Sequence, residues 1–135
     1  MKKIYSKINP EILLHIIFTF EDFKDGRIDI SPENEFLQVA ALKLPKDKTF
    51  KPHKHIPCEK KVTITQESWC IVKGSIKIIM YDLDDTIIDE IILHAGDLSL
   101  TFRGGHNYLI LEPNTLVFEY KTPQYTGQKD DKVFI

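Results

Sequence analysis

From Ile28 onward the chain is a succession of short β-rich runs, each closed by Pro, Gly, Asp or Lys clusters. The runs cover residues 36–44, 49–55, 62–72, 75–82, 87–93, 98–102, 107–111 and 115–121. No helical periodicity separates them. Short strands at this spacing indicate an antiparallel sandwich or barrel, so the expected class is all-β.

The first 27 residues read differently. Asn9-Pro10-Glu11 has the form of a helix start, with a capping side chain, proline at the first position and an early acid. Ile12, Leu13, Ile16, Ile17 and Phe20 follow at helical spacing, which predicts a short helix over 10–20. Its apolar stripe needs a cover, either the barrel or a second subunit, and a two-fold homodimer is the expectation. Asp25-Gly26 then marks a turn. The expected division of 1–135 is one domain, with a helix and turn over 1–27, a barrel over 28–121 and a tail over 122–135. Val133-Phe134-Ile135 gives that polar tail an apolar end able to dock on the body.

Composition narrows the function classes. A hydrophobic share of 42% lets a chain of this length bury one real core without staples. A net charge of −2 supplies no basic field for nucleic acid or an anionic membrane, so neither is an expected partner. Cys58 and Cys70 are too few for a disulfide framework. The start lacks a signal-peptide cleavage site, and the apolar stretch 12–20 is too short to span a bilayer, which takes about 20 residues. A cytoplasmic location is the expectation.

His53-Lys54-His55 falls at the end of an expected strand, where residues two apart share a face and both imidazoles can reach one point. Glu67 begins Glu67-Ser-Trp-Cys-Ile-Val-Lys-Gly74 and shares a face with Trp69 and Ile71. Gly96-Asp97 reads as a tight turn, and Gly104-Gly105-His106 opens a further strand. His53, His55, Glu67 and His106 thus form a candidate ligand set for one divalent transition metal, Fe, Mn, Ni or Zn. His15 reads as a core or interface histidine and His94 as a turn residue.

These motifs resemble those of the cupin superfamily, G-x5-H-x-H-x3,4-E-x6-G and G-x5-P-x-G-x2-H-x3-N. His53 and His55 match the pair, and Glu67 to Gly74 matches the end of the first motif. Gly96, Gly104 and His106 resemble the second. Eleven residues stand between His55 and Glu67 where the family has three or four, and Glu59 fits that shorter spacing without the downstream glycine. Glu67 is preferred because Glu59 lies in a loop-like segment. Phe102 replaces the family's proline, and the final asparagine is absent. The resemblance implies a double-stranded β-helix, or jelly-roll, barrel.

Within that superfamily the chain is similar to small single-domain proteins of the WbuC type, linked to cell-surface polysaccharide biosynthesis. The similar segments are Phe36-Leu37-Gln38-Val39, His53-Lys54-His55, Tyr81-Asp82, Glu119-Tyr120-Lys121, Tyr125 and Asp131-Lys132. A looser likeness is to sugar-nucleotide ketoisomerases and epimerases. The resemblance implies a metal-dependent enzyme on a small polar metabolite such as a sugar or sugar nucleotide. A metal- or sugar-binding module without turnover and a cupin dioxygenase are the alternatives. Candidate acting groups are Tyr108, Arg103 as an anion clamp, and Lys51, which shares the expected strand face of His53. Tyr108 has core packing as its plainer role, and Glu119 with Lys121 an exposed cross-strand pair.

Overall fold

The computed structural model describes residues 1–125 and 127–135. β1 (Lys2–Tyr5) and β2 (Leu13–Phe18) open the chain, and β3 (Gly26–Asp29) and β4 (Ala40–Lys43) form a ribbon. After a long irregular segment come β5 (Gln66–Lys73), β6 (Ser75–Tyr81), β7 (Ile87–His94), β8 (Leu98–Thr101), β9 (His106–Ile110) and β10 (Leu116–Thr122). One helical turn, α1 (Gln128–Asp131), follows. All pairing between these strands is antiparallel.

The strands build three layers. A central sheet runs in the order β1-β2-β8-β5-β10, and a second sheet runs β7-β6-β9. Ile4, Ile17, Ile71, Ile76, Ile78, Met80 and Leu93 fill the space between them. On its other side the central sheet carries Ile16, Phe18, Leu100 and Phe102 against Ile30 and Ala41 of the β3–β4 region. Both faces of β2 are therefore covered, and all six of its residues are buried.

That burial explains why the expected helix over 10–20 is absent. A strand enclosed on both faces reads as a continuous apolar run, and such a run contains helical spacing without requiring it. Two adjacent isoleucines favour the extended form. Asn9-Pro10 makes a turn instead: the Ile12 N–H donates to the Asn9 carbonyl at 2.9 Å, and the Ser6 N–H to the Ile12 carbonyl at 3.0 Å. The dimer expectation loses its stated basis with the helix. β1 and β3 also lie in the region read as helix and turn.

The expected strand over 49–55 is absent too. Residues 44–65 form no strand, and 51–61 are all exposed. Pro45, Pro52 and Pro57 remove ladder donors, and six lysines between positions 46 and 61 favour solvent. A connection of this length without secondary structure is uncommon in compact domains, where loops rarely exceed about 12–15 residues.

From β5 onward the chain crosses between the two sheets at every connection except the β6–β7 hairpin. Gly74 is the sole residue between β5 in one and β6 in the other, at φ +80°. A Cβ built there would sit 2.4 Å from Thr115 Oγ1. We expect Gly74→Ala to destabilise the fold by about 1–2 kcal/mol from the backbone alone, with the Thr115 clash added. Denaturant midpoints check this, and a Gly74→Ala, Thr115→Ala double variant should recover only the clash.

His15 is buried on the inner face of β2. Its Nε2 donates to the Tyr81 carbonyl at 3.4 Å, because that oxygen can only accept, and its Nδ1 accepts from Thr101 Oγ1 at 3.1 Å. Burial disfavours the charged ring and lowers its pKa from 6.5 to about 4. Between those values the unfolded chain binds a proton that the folded chain does not. Stability should therefore fall as pH drops from 6.5 toward 4, by about 3 kcal/mol from this group. Urea unfolding across that interval measures it, and His15→Gln should flatten the dependence.

Candidate functional site

Strand alternation sends Glu67, Trp69 and Ile71 from β5 toward the second sheet, and His106 and Tyr108 from β9 back toward them. Ile71 is buried in the core, and the other four line a cleft of about 780 Å³ that opens between the two sheets. His106 Nε2 lies 3.1 Å from Glu67 Oε1. Tyr108 stacks on Trp69 with centroids 3.9 Å apart and planes 12° from parallel. Its hydroxyl shares a 3.1 Å hydrogen bond with Ser99 Oγ on β8. Gly104-Gly105 admits the chain to this corner: Gly104 has φ +74°, and a Cβ there would come within 2.5 Å of the Tyr81 carbonyl.

β10 adds charge to the cleft. Register sets Lys121 beside Glu67 and Glu119 beside Trp69. Lys121 Nζ stands 2.8 Å from Glu119 Oε1, 3.4 Å from Glu67 Oε2 and 3.9 Å from Asp131 Oδ2. The pairing expected of Glu119 and Lys121 is present, but it runs along one strand and lies in the cleft. Burial alone would raise the Glu67 carboxyl; the hydrogen bond and charge of His106, with Lys121, outweigh it and hold the pKa down to about 2. Lys121 is pushed up, first by its bond to Glu119 and then, against partial burial, by Glu67. Burial raises the Tyr108 phenol strongly, so it stays a neutral donor. Since a carboxylate can only accept, His106 donates through Nε2, and Nδ1 is the basic nitrogen of its ring.

The sequence-expected residues divide into two groups. Glu67, His106 and Tyr108 come together. His53, His55 and Lys51 do not join them: they lie on the exposed irregular segment, where His53 Nδ1 donates to the Lys51 carbonyl at 3.1 Å. The two rings lie 5.5 Å apart, edge to face. Glu59 is on the same exposed segment. Among the described residues no group of three His, Cys, Asp or Glu converges closely enough to hold an ion. Glu67 and His106 supply two donors, fewer than a closed transition-metal shell takes.

Arg103 lines the cleft and also a smaller cavity of about 390 Å³ on the β1–β2 side. Its Nη1 is committed to Glu35 Oε1 at 2.7 Å, so the fork expected to clamp an anion already holds a buried carboxylate. Gln66 joins them, donating to Glu35 and accepting the Leu37 N–H at 2.7 Å. Glu35 had no signal in the sequence, because nothing local distinguishes it within Ser31-Pro32-Glu33-Asn34-Glu35. His94 ends β7 exposed and donates its backbone N–H to Asp97 in the Gly96-Asp97 turn, as a turn residue should.

No family model matches the chain, and neither the curated proteins nor the solved structures give a match. No described helix is long and apolar enough to cross a membrane.

Trp69 is the only tryptophan and lines the cleft, which makes it a reporter. We expect Tyr108→Ala to shift its emission to longer wavelength by exposing the indole face, whereas Tyr108→Phe should leave the maximum in place.

Proposed function

We propose that the cleft binds a small polar metabolite, with a free or nucleotide-linked sugar as the favoured class, and that His106 transfers a proton on it. The 3.1 Å His106–Glu67 pair beside the Trp69–Tyr108 stack carries this reading. An aromatic face packs on the C–H face of a sugar ring, while carboxylates and amines at its rim take the hydroxyls. Glu67, Lys121, Glu119 and Asp131 are such a rim.

Isomerisation and epimerisation need a base that removes a proton next to a carbonyl and an acid that returns one. His106 Nδ1 suits the first step, with Glu67 compensating the imidazolium that forms. Returning that proton to the neighbouring carbon, with the hydroxyl proton passed from one oxygen to the other, completes an isomerisation; protonating the same carbon on its opposite face completes an epimerisation. Tyr108, held neutral, and Lys121, held charged, are donors for the oxygen on which charge develops. The cupin reading of the fold is supported by the course of β5 to β10, which crosses between two sheets at every connection except the β6–β7 hairpin, as a jelly roll does.

The test is solvent-deuterium exchange into a panel of aldoses, ketoses and nucleotide sugars, with Trp69 emission reporting binding. His106→Gln should abolish exchange, a loss of about 100-fold or more, while sugar-induced emission changes persist. Binding without exchange in the wild type would assign the non-catalytic alternative, and no response to any sugar would refute the substrate class.

A divalent metal is the second reading, favoured by the adjacency of Glu67 and His106 and by the lack of strand pairing along the segment bearing His53 and His55. It requires that segment to move onto the pair. Protein purified without a metal-affinity column should then carry about one equivalent of Fe, Mn, Ni or Zn, lost in both His53→Ala and His106→Ala. Metal retained by His53→Ala would remove the segment from the site.

A further inference from the structure

β10 ends the central sheet, and among the described residues no backbone hydrogen bond joins it to anything but β5. A bare edge is a template for another strand, and proteins blunt it with proline, a bulge, a charge or a covering loop. From Val117 to Thr122 β10 has no proline and no bulge; its one irregularity precedes Val117. Its single lysine is tied to Glu119 and Glu67 in the cleft. Phe118 and Tyr120 point the other way and are 58% and 54% exposed, with Leu116 beside them at 55%.

The chain's own irregular segment is a poor cover for this edge. Prolines at 45, 52 and 57 interrupt it, and the stretch after Pro57 runs directly into β5, on the opposite side of β10. A second β10 fits better. Antiparallel pairing of this strand with itself about Tyr120 puts Glu119 opposite the partner's Lys121 twice, and Phe118 opposite the partner's Thr122. Centring on Glu119 would oppose two carboxylates directly, which is unfavourable. Pro123 ends the ladder immediately after Thr122.

We propose that two copies of this chain pair antiparallel through their β10 edges, on a two-fold axis at Tyr120, and so join their central sheets into one. The contact is isologous, and no edge of β10 remains open for further growth. It does not depend on the catalytic reading of the cleft.

Sedimentation velocity over the micromolar range tests it. Wild type should run as a dimer, and a Phe118→Lys, Tyr120→Lys variant with wild-type circular dichroism should associate more weakly by about tenfold or more. Phe118→Tyr should remain dimeric. In a Cys58→Ser background, which removes an exposed thiol, Tyr120→Cys should form a covalent dimer on mild oxidation, because directly opposed residues lie within disulfide reach. A monomeric wild type would overturn the proposal. So would an unweakened double-lysine variant, or a dimer that Tyr120→Cys fails to cross-link.

Discussion

A strand that must leave one sheet and enter another within a single residue leaves little freedom for what surrounds it. Gly74 makes that step between β5 and β6, at a φ that a side chain would strain and against Thr115, where a side chain would clash. The step locks the two sheets face to face along β5 and β6. It therefore determines which side of β5 looks inward, and with it the placement of Glu67 and Trp69. β9 pairs with β6, so His106 and Tyr108 arrive opposite them by register alone. The cleft follows from this corner together with the β8–β9 passage at Gly104-Gly105.

Inside the cleft the charges balance only as a group. Glu67 is buried, and a carboxylate taken out of water needs partners with good geometry. His106 supplies a hydrogen bond and Lys121 a charge, and Glu119 and Asp131 share the lysine. Truncating one partner would leave the others uncompensated, so stability and chemistry are coupled here. Polarity of this kind, concentrated on one wall beside an aromatic stack, is poorly suited to plain core packing. The hydrophobic residues buried between the sheets are isoleucine, leucine and methionine.

The strands after Thr65 were legible because each is short, rich in β-branched residues and closed by a turn residue, and Gly74 and Gly96 stand where the chain turns. The inward face of Glu67 and Trp69 was legible from alternation alone. Period-two logic failed where no strand exists to carry it: His53 and His55 satisfy the spacing, but the flanking prolines and lysines keep their segment out of a ladder. The run 13–18 was misread because a strand buried on both faces has no alternation to display. Glu35, Gln66 and Arg103 were illegible as a network, since their association depends on the path of a loop over the central sheet and not on any local pattern.

The site and the bare edge share residues, and that overlap has a physical consequence. Glu119 lines the cleft and Lys121 reaches Glu67 in it, through side chains whose backbone belongs to the unpaired strand. In the pair proposed through β10, each Lys121 gains a further carboxylate across the axis, and each Glu119 a second ammonium. Such a contact would restrain the Lys121 side chain that stands 3.4 Å from Glu67. Pairing would also remove backbone fraying at the strand that forms this wall, since an edge ladder opens more readily than one held on both sides. The wall of the cleft that carries its charge is thus the part of the fold most able to respond to assembly, while the wall carrying His106 and Tyr108 lies in the other sheet.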